Sequence, residues 1–353
     1  MRWFMMSQLL VGVLMLFSCV RRPLVDPEDA AMLKVRLVTE GVHNVTCDIY
    51  NPEIEHPTIT SDMLRVLIYG PEGQPILSQG FIQNKSIDAK GYEVFSAPLA
   101  LGIGEYQLLS YNFDLDAVNI QNESSYNTIK ATTAEAPRSL YNRFGSRAEE
   151  LGTIFYSPDH IMVARAPELV INPHTEVQTI ELDAHTVVDT YYFQIRVTGV
   201  ENMAQKAACQ AVLTGVTASN CIGPNIRNYD DPASLYFELQ RSTDPRAPEG
   251  APKDVLCAVF NTFGKIPDAE SKMHLTLSIL TRDGKTHQKV IDMTRIFESE
   301  DARLRHWLLI DEAWEIPTPI NPGGGGAFQP SVDDWDDIEE VIPIRPSNGE
   351  ITN

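Results

Sequence analysis

The chain has 353 residues with 28 Lys+Arg against 48 Asp+Glu, a formal charge of −20, and 43% hydrophobic residues. With the cations unclustered, this acidic balance excludes a nucleic-acid partner, because binding phosphate requires grouped Lys and Arg to displace counterions. The apolar fraction rules out a mostly disordered chain, and the length favours two domains over one.

Residues 1–18 stand apart from the rest. Met1-Arg2 leads into an apolar run from Leu9 to Phe17, broken by Gly12. That run is too short to cross a hydrocarbon core of about 30 Å as a helix, and it has the layout of a secretory signal peptide. Leu16-Phe17-Ser18-Cys19 places a small residue directly before a cysteine, the arrangement of a bacterial lipoprotein cleavage site. Cys19 is therefore read as the first mature residue and the lipidation site. Acyl chains there, at about 0.8 kcal/mol per buried CH₂, give stable anchoring. Val20 in place of Asp points to the outer membrane. Arg21 and Arg22, followed by Asp26, Glu28 and Asp29, leave the leaflet open with a lean toward the surface. Residues 19–30, polar with Pro23 and Pro27, read as the lipidated tether.

From residue 31 a period of two dominates. Leu33, Val35 and Leu37 alternate with Lys34 and Arg36; Leu64, Val66 and Ile68 alternate with Arg65. Gly70-Pro71-Glu72-Gly73 then signals a turn into Ile76–Ile82, which predicts a hairpin. Gly104–Phe113 is a further strand. Residues 114–148 show no sustained periodicity beyond Tyr126–Ala131, Ser139–Leu151 suits a brief helix, and Phe155–Ala164 returns to strand character. Ala166-Pro167 then marks the expected domain boundary, giving an N-terminal β-sandwich over 31–165.

The second half, 166–320, repeats the theme. Alternation runs through Val177–Leu182 and Phe193–Gly199, followed by apolar segments at Ala208–Val216, Leu235–Leu239 and Val255–Phe260, with a Pro-rich loop from Asp244 to Lys253. Leu275, Leu277 and Ile279 lead to Asp283-Gly284, a two-residue turn signal, and a return strand through Val290 and Ile291. Met293–His306 is the convincing amphipathic helix, and Trp307 and Trp314 fall in core or strand positions. The expected fold class is all-β: two tandem sandwiches with few short helices. Residues 321–353 form a separate module, with a linker at Gly323–Gly326 followed by an acidic tail. Phe328–Asn353 carries seven acids and one Arg.

Chemistry-bearing motifs are sparse. No phosphate loop, nucleophile elbow or His-Glu-x-x-His is present, and His160, His174 and His185 fit no common face, so neither catalysis nor a cofactor is expected. Cys47, Cys209, Cys221 and Cys257 match no zinc spacing; Cys209 and Cys221 can face each other across a turn, with pairing undecidable from sequence. Asp333, Asp334, Asp336 and Asp337 lack the glycine and spacing of a calcium loop and read as a solvated run, not a metal site. Trp335 within it is expected to dock on the protein or a partner. Arg138, Arg143 and Arg147 sit in an expected surface loop and are not assigned as processing sites.

In Thr190–Gly199, Leu213–Ser219, Phe260–Gly264, Leu275–Asp292 and the glycine-rich segment before Val332–Trp335, together with Cys19, the chain resembles the fimbrillin superfamily of Bacteroidia-type (type V) pili. The similarity is greatest to lipid-anchored lipoproteins of the minor-fimbrium anchoring-subunit type. It implies two transthyretin-like Greek-key sandwiches and a role in pilus anchoring, assembly or adhesion, with pilus subunits as partners held by strand addition. The alternative reading is a surface glycan-binding lipoprotein. The small number of mature tryptophans, Trp307, Trp314 and Trp335, disfavours it.

Overall fold

The structure is a computed structural model that describes residues 31–39, 51, 53–54, 58–71, 74–113, 115–141, 151–173, 177–204, 209–267 and 273–320. The predicted signal peptide, tether and tail lie outside the described residues. The first half contains β1 (Ala31–Leu37), β2 (Leu64–Tyr69), β3 (Ile76–Ile82), β4 (Lys85–Ile87), β5 (Glu93–Leu99) and β6 (Gly104–Asn112). It continues with β7 (Val118–Gln121), β8 (Lys130–Thr133), helix α1 (Arg138–Tyr141), β9 (Ile154–Tyr156), β10 (Met162–Ile171) and β11 (Thr179–Thr186). The second half has β12 (Asp189–Thr198), β13 (Cys209–Thr217), β14 (Ser219–Cys221), β15 (Ile226–Arg227), β16 (Pro232–Thr243) and β17 (Asp254–Thr262). It closes with β18 (His274–Leu280), β19 (Thr286–Asp292), α2 (Thr294–Phe297), α3 (Glu300–Arg305) and β20 (Trp307–Glu315).

The all-β expectation holds, and the sheet order explains the alternation. In the first sandwich the sheet runs β3-β2-β6-β10-β11-β1-β5-β4 and curls on itself. Between β10 and β11 only Met162↔Thr186 and Val163↔His185 pair, so this narrow seam is the fold line between two four-stranded layers. Leu33, Val35, Val66, Ile68, Phe95 and Leu108 from both layers fill the space between. On the outer side of β1, Lys34 and Arg36 lie in register with Glu181 and Asp183 of the parallel strand β11. Arg36 grips Asp183 through two bonds of 2.8 Å and holds that carboxyl below the usual carboxylate range.

The second sheet runs β19-β18-β13-β16-β17-β12-β20. Here β16 serves both layers: Pro232–Leu239 pairs with β13 and Gln240–Thr243 with β17. The two sandwiches are topological copies. β1, β2, β5, β6, β10 and β11 correspond to β12, β13, β17, β18, β19 and β20, while β3 and β4 correspond to the two halves of β16. In each copy the first and last strands pair in parallel, β1 with β11 and β12 with β20. Chain crossings from layer to layer after the first, third, fifth and seventh strands give both copies Greek-key connectivity.

Several expectations need correction. Residue 166 lies inside β10, and β10 and β11 complete the first sandwich, so the division falls at residues 187–188. The helix expected over 293–306 is two helices, because Ser299 is extended and its Oγ caps α3 by accepting from the Ala302 amide at 3.1 Å. Of the helix expected at 139–151, α1 is the part that falls within described residues. The Asp283-Gly284 hairpin does form, but its loop has three residues: the Gly284 amide bonds Thr281 O at 2.9 Å, and Gly284 takes φ +78°. Cys209, Cys221 and Cys257 are free thiols. Cys209 pairs with Leu239 in the ladder and Cys221 with Lys130, so those two do not oppose each other.

Candidate interaction site

Cys19 and Trp335, the two residues singled out for function by sequence, lie outside the described residues, as do Arg143, Arg147, His174 and Cys47. His185 is exposed on β11. Among the described residues no group of three His, Cys, Asp or Glu side chains is placed to hold a metal. No described helix is long and apolar enough to cross a membrane. What the fold does build is a joint between the sandwiches and a set of open sheet edges.

The joint is stitched by backbone. β7 and β8 from the first half and β14 and β15 from the second form one four-stranded sheet, ordered β15-β14-β8-β7. From the first half, β9 also runs parallel to β16 of the second sandwich, through Ser234↔Ile154, Leu235↔Phe155 and Tyr236↔Tyr156. Between the small sheet and the outer face of β2, β6 and β10 lies a cluster drawn from both halves: Leu67, Tyr69, Leu109, Tyr111 and Val163 meet Ile222 and Phe263. This is why β2 and β6 are apolar on both faces, their odd and even residues serving two different cores.

Polar groups cross the joint at Arg165 and brace each side of it elsewhere. Arg165 of β10 donates to Ile222 O at 2.6 Å and to Asn225 Oδ1 at 3.2 Å, and Arg227 pairs with Asp189 at 2.8 Å. At Gly223 a Cβ would sit 1.8 Å from Tyr126 O, so the turn can approach the first half only as glycine. Gly264 takes φ +135° beside the Arg227 side chain. Glu123 accepts from Arg65 at 3.0 Å and from the Tyr111 hydroxyl; burial, and then this carboxylate, push the Tyr111 hydroxyl well above its ordinary range. A cleft of about 540 Å³ opens at the joint, lined among others by Asp189, Asn220, Arg227, Tyr229 and His306.

A strap adds a second clamp. Between β1 and β2, Asn51 donates to Thr243 O at 3.1 Å, and Ile54 packs with Tyr192, Cys257 and Trp307 on the outer face of the second sandwich. Trp307 and Trp314 are buried, as their sequence context predicts. The joint residues were not singled out from sequence. The Phe263-Gly264 pair and the Ile222-Gly223 turn carried the signal, a large aromatic or aliphatic side chain next to glycine in a loop.

The open edges are β3 and β4 in the first sandwich and β19 and β20 in the second, the ends of the two sheet paths. Such edges present unpaired ladder groups and are the surfaces on which another strand can add.

Comparison with known proteins places this architecture in a family. Residues 43–238 match the family model described as "Domain of unknown function (DUF5119)", which covers more than half of the chain, and the chain belongs to that family. Across 96% of its length and 97% of the relative's, it is 26% identical to a Bacteroides ovatus protein named "Putative fimbrium anchoring subunit Fim4B". A solved structure from Bacteroides ovatus, described as a putative adhesin, shares the fold with a TM-score of 0.53 at 21% identity, covering 86% of this chain and 99% of that one. The fimbrial anchor protein Mfa2 from Porphyromonas gingivalis aligns over 79% of this chain and 88% of its own, with 13% identity and a TM-score of 0.43.

Proposed function

We propose that this protein is a fimbria-anchoring or adhesion subunit, held in the outer membrane by acyl chains on Cys19 and engaging pilus subunits through strand-mediated contacts. The observation that carries this reading is the near end-to-end relation to the fimbrium anchoring relative, both sandwiches included. The lipoprotein cleavage pattern at Leu16–Cys19 supports the anchor, with residues 1–18 removed and 19–30 serving as tether. Free edges at both ends of each sheet support the mode of contact. Residues 321–353 form a glycine-linked acidic arm whose Trp335 docks on a partner. The protein is structural and uses no cofactor.

Two measurements test this. Cys19→Ala should move the chain from the membrane fraction to the soluble fraction. Affinity isolation of the acylated protein from envelopes should bring fimbrial subunits with it. Retention on polysaccharide columns, with no fimbrial protein recovered, would replace this reading with the glycan-binding alternative.

A further inference from the structure

One end of the first sandwich is apolar where water should favour polar loops. Ile103, in the β5–β6 turn, is 64% exposed; Val170, near the end of β10, is 47%; and Val177, just before β11, is 52%. The ladder brings them together. Ile171 pairs with Gly104, and the Gln178 side chain, next to Val177, donates to Val170 O at 3.1 Å. The turn carrying Ile103 is fixed from within, since the Tyr106 hydroxyl donates to Gly102 O at 2.9 Å. Segments 97–105, 166–173 and 177–179 contain no Lys or Arg, and their acids are Glu105 and Glu168.

The chain enters the fold at this same end. Ala31 pairs with Leu99, and the Met32 amide bonds Gln178 O at 2.8 Å. Cys19 is separated from Ala31 by residues 20–30, a segment that reaches at most about 40 Å when fully extended and about 20 Å as a flexible coil. The joint lies further along these strands: from Gly104 and Ile171 it begins at Tyr69, opposite Gln107, and continues to Tyr111 and Val163, about 10 to 25 Å of strand away.

We propose that Ile103, Val170 and Val177 form a membrane-seating tip that rests in the bilayer surface beside the acyl anchor and points the second sandwich away from it. This deepens the reading of Cys19 as acylated and rests on it. The occupant is lipid because the tether holds this tip next to lipid, and the contact is apolar insertion because the tip has no cations to draw an anionic surface. A tether alone would leave the body free to tumble, whereas three aliphatic side chains immersed about 5–10 Å fix one face.

The test uses the acylated full chain in vesicles of phosphatidylethanolamine and dibromophosphatidylcholine. Ile103→Trp should lose about half or more of its added emission to bromine quenching, at the depth expected of an interfacial side chain. Leu304→Trp, at a 61% exposed site on α3, should lose none. Membrane-bound protein with neither tryptophan quenched overturns the seating tip and leaves the lipid anchor standing, as does equal quenching at both sites, which would mean no preferred orientation. Absence of acyl mass on Cys19 overturns both.

Discussion

Phe263→Ala tests whether the two sandwiches act as one body. Phe263 belongs to the second half, is fully buried at 0%, and packs among Leu67, Tyr69, Leu109 and Tyr111 of the first. An aromatic side chain removes about 150–250 Å² from water, or about 4–6 kcal/mol at ~25 cal/mol per Å². Measured Phe→Ala costs of about 3–5 kcal/mol agree with that figure. For folding units of 150–250 residues, each kcal/mol shifts Tm by about 2–4 °C, so the coupled transition should fall by about 6–20 °C. Because the loss is at the joint, calorimetry should also resolve two transitions in place of one, and limited proteolysis should cut at residues 187–188. Phe193→Ala, in the second sandwich's own core, should lower stability without opening that connection. If Phe263→Ala keeps a single transition within about 2 °C of the parent, the cluster does not couple the halves.

Asp244→Ala removes the nearer and buried carboxylate partner of Arg196, whose side chain is 6% exposed and pairs with Asp244 at 3.1 Å and with the exposed Asp311 at 3.8 Å, and it should cost up to about 3–5 kcal/mol in urea unfolding. Pairing it with Arg196→Met should recover most of that loss, and a double variant as unstable as the single one would contradict the unpaired-charge account. Burial pushes the Cys257 thiol up to about 11. The unfolded thiol ionises near 8.5, so the folded state holds its proton more tightly, and the stabilisation is complete below that value and is lost as pH rises toward 11. Urea midpoints at pH 8 and about 9.5 should therefore differ more in the parent than in Cys257→Ala, and equal differences would show that this thiol is not the source.

Strands long enough to show side-chain alternation were legible, and the shortest ones were not. β1, β2, β6, β12 and β18 each turn alternate residues toward the core of their own sandwich, so apolar residues recur at every second position even where the opposite face is apolar too. β4, β7, β8, β14 and β15 have two to four residues each, too few for a period of two to stand out, and the pairing that joins β8 to β14, Cys221↔Lys130, links distant parts of the chain that no local pattern relates. The misplaced boundary has the same origin. Periodicity identifies β10 and β11 as strands but cannot say which sheet they join, and Pro167, at a β-bulge between Ala166 and Leu169, looks from sequence like a break. Cys209 and Cys221 were twelve positions apart around a glycine-containing turn, yet β13 and β14 feed different sheets. The joint was not legible in the sequence. Cys19 carries a local signal, whereas the joint depends on contacts between residues such as Tyr69 and Phe263 that only the fold brings together.

The repeat gives the two halves different capacities despite their common topology. In the first sandwich β10 closes on β11 through two residue pairs. In the second, the equivalent strands β19 and β20 are the two ends of the sheet path, and Lys289–Glu312 at 3.6 Å links them through side chains alone. With Glu312 85% exposed, that pair contributes little and is readily exchanged for another partner. Two ladder edges therefore flank a seam that is sealed by backbone pairing in one copy and not in the other. Chain direction decides which copy is which. β1 runs from the Ala31 end toward the joint, and β12 and β20 belong to the half beyond it, so the seam left open between β19 and β20 lies in the half farther along the chain. Each copy thus keeps one open pair of edges, β3 and β4 in the first sandwich and β19 and β20 in the second, and closes the other, so strand addition has a different pair of edges to work on in each half.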